Sequence, residues 1–516
     1  MWENSLIIEK IKEQKNLILV LVLYTFLAII LFSHYKYVIY PDVIAYISIA
    51  QHYLNGRISY AINGYWSPLY SWLLMPFLVL WPGNVGNLMV TKVLAVILGL
   101  FTLNAVNLVL DKLSFGIRQK TIILLASIPF MLYLTFNFVT PDLLVTCILL
   151  YYFSFLIDEK YRKLTSFGVI IGFLGALAFL AKSYCFYFFL VHFVLVNLFF
   201  MKNFPEDRPV IKKNLLLGLS IFLVISGLWA GIISEKYGEV TLGTAGSYNY
   251  AIIGPESNGQ ITDNQILTPP NEFAVSSWED PSYFEVEKWG PLESPQAFFH
   301  QIIIILDNIR KIFFISGLSM FIPIVAIILS LSLFLKSGRK LVRNNILLFL
   351  GTMIIYTVGY IFIVILARYI SFVLVLSFLL GFYSLNMLFE ENIIQPNFYK
   401  LISILLVFLL FFYPMMPLSY LDDTFFRIYD KSVDLKSQGI RGNIASNYLW
   451  YRVDYYCYYL DGKYYGVTKN QSGAELKDTL KRYRIDYYFV WGKPHHDNLG
   501  DIVYQDEYLV VYRIKK

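Results

Sequence analysis

Long runs of apolar residues, nearly free of charge, recur along this chain, and several of them are separated by short segments rich in lysine and arginine. A segment that crosses a bilayer as helix satisfies its own backbone hydrogen bonds and needs about 20 mainly apolar residues. On that measure spans fall near 17–33, 88–110, 121–138, 142–157, 166–181, 184–200, 214–233, 312–335, 345–366, 369–389 and 400–418. Of the 516 residues, 57% are hydrophobic and 15% are charged, against about 45–50% and 25% in a soluble domain. One soluble core is excluded. The expected fold class is an all-α polytopic membrane bundle of about eleven transmembrane helices, with interfacial helices and a small C-terminal α/β domain.

Cation placement sets the expected orientation. With the N-terminus in the cytoplasm, the inner loops hold Lys112, Arg118 and Lys120; Lys160, Arg162 and Lys163; Lys202, Arg208, Lys212 and Lys213; and Lys336, Arg339, Lys340 and Arg343. This is the positive-inside pattern of a multi-pass plasma (inner) membrane protein. Retained cytoplasmic cations also account for the net charge of +6 without nucleic acid. The run 68–81 is apolar but short and contains Pro76; counting it as a span would put the cationic loops at 158–165 and 336–344 outside, so it reads as interfacial or re-entrant. The parity then makes 34–87 a first outer loop, 234–311 a large outer loop, 1–418 a membrane domain, and 419–516 an extracytoplasmic domain. The first apolar run follows a mixed charged stretch (Glu9, Lys10, Lys12, Glu13, Lys15) and lacks a small-residue cleavage site, so it reads as a retained helix. Cys147, Cys185 and Cys457 are too scattered for a disulfide framework or a zinc site.

Two apolar runs, 167–200 and 346–389, are too long for one span, and each contains a single cation, Lys182 and Arg368 respectively. Each is expected to fold as a hairpin with its cation at the outer turn, since a cation at mid-bilayer costs roughly 2.5–3.5 kcal/mol or more. In the tail, 443–446, 454–460, 486–491 and 508–514 read as strands. Ser472-Gly-Ala-Glu475 is a capping-box signature for a helix through Tyr483.

This topology leaves Asp42, Asp142, Lys182 and Arg368 on the outer side. Cations can neutralise a phosphate leaving group, and a carboxylate can take a proton from an incoming hydroxyl. Each residue also has a plain structural reading. Asp42 follows Pro41 at the start of a helix closed by Gly56, whose Val43, Ile47, Ala50 and Leu54 form a stripe for the bilayer, with Tyr46 on the same face as Asp42. Thr140-Pro-Asp142 is an ordinary helix start. Lys182 suits a helix C-terminus, whereas Arg368, at the start of a helix, calls for an anionic partner. Tyr65, Trp66 and Tyr70 fit either sugar stacking or an aromatic belt. Trp278-Glu-Asp280 and Trp289-Gly-Pro291 either line an acceptor cleft or cap the bundle, and His300 reads as structural.

Tyr40-Pro-Asp-Val-Ile-Ala-Tyr46-Ile-Ser-Ile-Ala50, followed by Trp66-Ser-Pro-Leu-Tyr70, resembles the first outer loop of the GT-C glycosyltransferases, in the branch of protein O-mannosyltransferases and lipid A aminoarabinose transferases. Thr140-Pro-Asp142-Leu-Leu resembles their second acidic motif, Leu180-Ala-Lys182-Ser their Lys-Gly step, and Ala367-Arg368-Tyr369 their Arg-Tyr step. Order and spacing match over roughly the first 390 residues. The chain departs from the pattern at Asp42-Val43, where the family often has Asp-Glu, at Ser67 and at Ser183.

The resemblance implies an inverting glycosyltransferase that takes a sugar from a polyprenyl-phosphate donor. Asp42 would be the general base and Lys182 and Arg368 would hold the donor phosphate. Asp142 would orient Asp42 or a donor hydroxyl, and Tyr46, Trp66, Tyr70 and Tyr369 would line the substrate. No cofactor is assigned, and a divalent metal is left open but not indicated; Val43 in place of Glu weighs against the metal-dependent version. The acceptor would be a glycan, a lipid or a protein. The competing readings are a transporter or flippase, and a polymerase or ligase, of lipid-linked glycans; against the transporter, the sequence shows no internal repeat.

Overall fold

The computed structural model of the protein describes residues 2–113, 115–257, 259, 262, 265–314, 321–419, 423–469, 471, 473–492 and 499–515. Contacts divide the chain into two compact units. One comprises Met1–Ser33, Val93–Trp229 and Gln301–Leu421; the other comprises His34–Lys92, Ala230–His300 and Asp422–Lys516.

Among the described residues, eight helices are long and apolar enough to cross a membrane: Lys12–Tyr35, Asn84–Lys112, Ile117–Asn137, Cys185–Asn203, Pro205–Tyr237, Lys340–Ile361, Ser371–Glu390 and Pro396–Leu418. The other three expected spans fall on shorter apolar helices, Pro141–Leu156, Ser166–Ala181 and Phe321–Lys336. Each has 16 residues, which is about 24 Å of helix. Part of the span expected at 312–335 lies outside the described residues.

The first unit is built around Ser371–Glu390. That helix is buried nearly all round, as expected of an apolar helix without a polar face. It packs against Pro141–Leu156, Phe321–Lys336, Lys340–Ile361 and Pro396–Ser419. Helices Ser166–Ala181 and Arg208–Tyr237 meet at glycines. A Cβ on Gly172 would lie 2.3 Å from the Gly218 carbonyl oxygen, and one on Gly168 would lie 2.6 Å from that of Asn214. Small residues spaced by four let two backbones touch where lipid offers no hydrophobic driving force.

Both long apolar runs break at their cations. The first breaks at 182–184, between Ser166–Ala181 and Cys185–Asn203, and the second at 362–370, between Lys340–Ile361 and Ser371–Glu390. Arg368 therefore stands in a turn before the helix rather than in its first turn. That turn is held by Asn308, whose side chain donates to the carbonyls of Ile361 (2.8 Å) and Ile363 (3.2 Å) and accepts from the Ile365 amide (3.3 Å).

In the second unit, helix Pro41–Leu54 packs on Pro68–Leu80 and on the one-turn helix Ser277–Glu279. Of the stripe expected to face the bilayer, Val43, Ile47 and Ala50 are buried at 0–1% exposure, covered by protein instead of lipid, while Leu54 is 39% exposed. The tail forms a five-stranded sheet of β1 (Asn443–Ser446), β2 (Lys463–Val467), β3 (Tyr487–Trp491), β4 (Gly500–Gln505) and β5 (Leu509–Ile514), in the order β2-β1-β3-β5-β4. β1 runs parallel to β2 and β3, while β5 is antiparallel to β3 and β4. The edge at β2 is not left bare. Residues 265–276 run along it, with Leu267 N donating to Tyr465 O (2.6 Å) and Tyr464 N to Val275 O (2.7 Å). Covering an edge in this way blocks pairing with another chain. At the same place Gly466 takes φ +120°, and a Cβ there would lie 2.4 Å from the Gln265 carbonyl oxygen.

The segment 454–460, expected as a strand, belongs instead to helix Trp450–Leu460, and β2 and β4 were not anticipated. Ser472 of the expected capping box lies outside the described residues, and the helix there runs Gly473–Arg482.

Candidate active site

In the first unit, Asp142 is the second residue of helix Pro141–Leu156, which Thr140 precedes in extended conformation. The Thr140 hydroxyl does not cap the helix. It donates to Asp142 Oδ2 at 2.8 Å, fixing the rotamer of that carboxylate. Lys182 Nζ donates to Asp142 Oδ1 at 2.6 Å. Arg368 Nε lies 3.7 Å from Asp142 Oδ2. The carboxylate is 6% exposed, whereas the Lys182 and Arg368 side chains are 21% and 23% exposed. A buried anion thus gathers two cations that remain partly open, the disposition that electrostatic stabilisation of a phosphate requires.

Aromatic rings complete the cluster. Lys182 Nζ lies 3.6 Å from the Tyr369 ring centre, and the Arg368 guanidinium lies 5.3 Å from it. Tyr369 stacks on Tyr360 (5.2 Å), which stacks on Tyr184 (3.9 Å). These cation–π contacts restrict the lysine without consuming its remaining hydrogen-bond donors. Four expected site residues, Asp142, Lys182, Arg368 and Tyr369, are therefore together within one unit. Tyr184 and Tyr360 carried no local signal of their role.

In the second unit, Asp42 stands in the first turn of Pro41–Leu54, where the helix dipole favours an anion. The Trp278 indole N–H donates to Asp42 Oδ1 at 3.1 Å. The Trp66 indole in turn donates to the Trp278 carbonyl at 3.1 Å. Tyr46 meets both Trp66 and Tyr70 edge-on at 5.1 Å, and all three are buried, at 3%, 7% and 1% exposure. Tyr46, Trp66 and Tyr70 thus form an aromatic base that sets Trp278 against Asp42. Asn63 shapes the entry to this turn by accepting from the amides of Tyr65 and Trp66 (both 2.9 Å) and donating to the Glu279 carbonyl (2.8 Å).

Beside Trp278, the 4%-exposed Glu279 is held by three side chains. Ser48 donates to Oε2, while His52 Nε2 (3.0 Å) and Asn271 Nδ2 (2.6 Å) meet Oε1. This cluster was not anticipated, because Ser48 and His52 lie more than 220 residues before Glu279 in the chain. His300 meets the Ile253 carbonyl at 2.7 Å, as a structural histidine would. No group of three or more His, Cys, Asp or Glu is placed to hold a metal ion among the described residues.

No family model and no curated protein matches this sequence. Solved structures do match over most of its length. ArnT from Cupriavidus metallidurans bound to undecaprenyl phosphate aligns at TM-score 0.53 and 13% identity, covering 95% of this chain and 97% of that one. The oligosaccharyltransferase of Archaeoglobus fulgidus in the apo form aligns at TM-score 0.52 and 10% identity, covering 93% of this chain and 69% of the other. The same archaeal enzyme, AglB, in complex with an inhibitory peptide and a dolichol-phosphate aligns at TM-score 0.51 and 12% identity, covering 92% and 69%. The chain has the GT-C fold. At these identities the likeness is one of fold. The GT-C fold, together with the apolar helices, makes the protein a multi-pass membrane protein.

Proposed function

We propose that the protein is an inverting glycosyltransferase that moves a sugar from a polyprenyl-phosphate-linked donor to a hydroxyl acceptor at the outer face of the plasma (inner) membrane. The observation that carries this reading is the pair of partly open cations, Lys182 and Arg368, seated on the buried Asp142 carboxylate. The undecaprenyl phosphate bound by ArnT and the dolichol-phosphate bound by AglB support the donor class.

In the proposed reaction Asp42 takes the proton of the acceptor hydroxyl. The acceptor oxygen forms its bond to the anomeric carbon as the bond from that carbon to the donor phosphate oxygen breaks. The polyprenyl phosphate leaves with the electron pair, its charge met by Lys182 and Arg368. Asp142 acts as a positioning residue that holds both cations in register, and Tyr369 braces Lys182. Such general-base assistance contributes typically about 10²–10⁴-fold in rate. The N-terminus is assigned to the cytoplasm and the tail domain to the outside.

The test is transfer by the purified chain in proteoliposomes, given lipid extracts as donor source, with products read by mass spectrometry. A covalent adduct of one sugar, with free polyprenyl phosphate released, supports the reading. A whole oligosaccharide in the adduct identifies a ligase instead. Movement of intact donor across the bilayer without bond cleavage identifies a transporter.

A further inference from the structure

The second unit contains a cavity of 490 Å³ lined by Ser59, Tyr60, Glu235, Lys236, Pro270, Asn271, Glu279, Asp280 and Tyr283, with Ile62 and Ile232 at its apolar margin. This volume is in the range of pockets that hold small ligands, about 300–1,000 Å³. Its walls come from the helix Ile58–Ala61, the end of Arg208–Tyr237 and the outer segment 270–283.

The hydrogen-bonding groups of its lining are partly used and partly spare. A carboxylate offers about four lone-pair sites. Glu279 uses one on Oε2, for Ser48, and two on Oε1, for His52 and Asn271. Asp280 uses two on Oδ2, for Tyr237 (2.7 Å) and Lys236 (3.4 Å), and one on Oδ1, for the Ser282 amide (3.2 Å). Among the described residues each carboxylate retains one acceptor site. Lys236 spends two of its three donors, on Asp280 and on the Ile62 carbonyl, and Asn271 spends one of its two, on Glu279. Two rigidly held acceptors and two donors therefore remain, flanked by the Tyr60 and Tyr283 rings, which are 38% and 59% exposed.

A sugar ring matches this set. Each hydroxyl both donates and accepts, and the C–H face of a pyranose packs on a tyrosine ring. Three carboxylates against one ammonium disfavour a phosphate or a uronate, and the charged walls disfavour a lipid tail. We propose that this cavity binds an uncharged saccharide and is the acceptor subsite of the enzyme, so that the acceptor is a glycan. Its use as an acceptor subsite rests on the transfer reaction proposed above; saccharide binding itself does not.

Binding is therefore measured without any donor. The purified full chain in detergent is presented to immobilised cellotetraose, chitotetraose, mannotetraose and tetragalacturonate. Ser59 is exposed at the cavity wall, so Ser59→Trp fills the space without disturbing the core, and Tyr283→Ala removes an exposed ring. The expected result is retention on at least one neutral tetrasaccharide, little on tetragalacturonate, and a tenfold or greater loss in both variants, with thermal unfolding unchanged. Retention on none of the neutral sugars, equal retention on the uronate, or binding that survives Ser59→Trp overturns the proposal. If saccharide binding fails while sugar transfer from the lipid donor proceeds, this inference falls and the transferase reading stands. The reverse outcome leaves a saccharide-binding protein that is not a transferase.

Discussion

Lys182 donates to Asp142 at 2.6 Å while its ammonium lies 3.6 Å from the Tyr369 ring. One side chain thus ties the first turn of Pro141–Leu156 to the turn that precedes Ser371–Glu390. A substitution at Asp142 should therefore act on two cations at once. Asp142→Asn keeps the shape of the carboxylate but removes the charge that orders Lys182 and Arg368. Charge-assisted hydrogen bonds are worth about 1.5–3 kcal/mol, so KM for the lipid-linked donor should rise roughly 10- to 100-fold. The rate at saturation should fall less. A kinetic series in donor concentration separates the two, and a pure fall in kcat would contradict a positioning role.

Asp42→Asn should do the opposite. The amide still accepts from Trp278, so the aromatic base of Tyr46, Trp66 and Tyr70 keeps its arrangement. Losing a general base costs about 10²–10⁴-fold in kcat, with donor KM nearly unchanged. Single-turnover transfer on the purified variant reads this directly.

Glu279 should matter for stability. Glu279→Ala leaves Ser48, His52 and Asn271 without the acceptor they share, at roughly 1–3 kcal/mol for each buried group left unpaired. The thermal midpoint of the detergent-purified chain should fall by several degrees. Glu279→Gln, which keeps one acceptor oxygen, should fall less. Equal midpoints for Ala, Gln and the native residue would show that the cluster does not hold this unit together.

Asp454 predicts a pH dependence. Burial pushes its carboxyl up to about 7, offset only in part by the Ser276 hydroxyl. Neither carboxylate oxygen has a partner in full hydrogen-bond geometry among the described residues. Between the ordinary carboxylate value and about 7, the folded state holds a proton that the unfolded chain has released. Stability from this group is therefore greatest in acid and declines as pH rises through 7, by up to roughly 4 kcal/mol. Asp454→Asn should flatten the decline of the unfolding midpoint between pH 5 and pH 8. A variant whose midpoint tracks the native protein over that range would remove Asp454 as the cause.

The membrane helices were legible because hydropathy and length act locally, and the breaks at Lys182 and Arg368 followed from the cost of a buried charge. The topology and the motif order both put Asp142 on the same side as the two cations, but their direct contact was not legible, since 40 residues separate Asp142 from Lys182. Helix Trp450–Leu460 was misread because its many tyrosines carry strand propensity and its Val453–Leu460 stretch is buried without interruption, which hides the helical period. β2 was missed because Gly466 interrupts a short run and the strand is completed by pairing with residues 265–276, some 190 positions earlier. The contacts of Glu279 with Ser48 and His52 are equally non-local, so Trp278-Glu-Asp280 showed its residue types but not its partners.

The central claim is that Lys182 and Arg368 receive the phosphate of a polyprenyl donor. The most direct test is the affinity of the purified full chain for undecaprenyl phosphate, measured for the native protein and for the Lys182→Met/Arg368→Met double variant. Tight binding by the native chain and a loss of about 30-fold or more in the double variant are predicted, on the order of 2 kcal/mol. Equal binding by both would contradict the account.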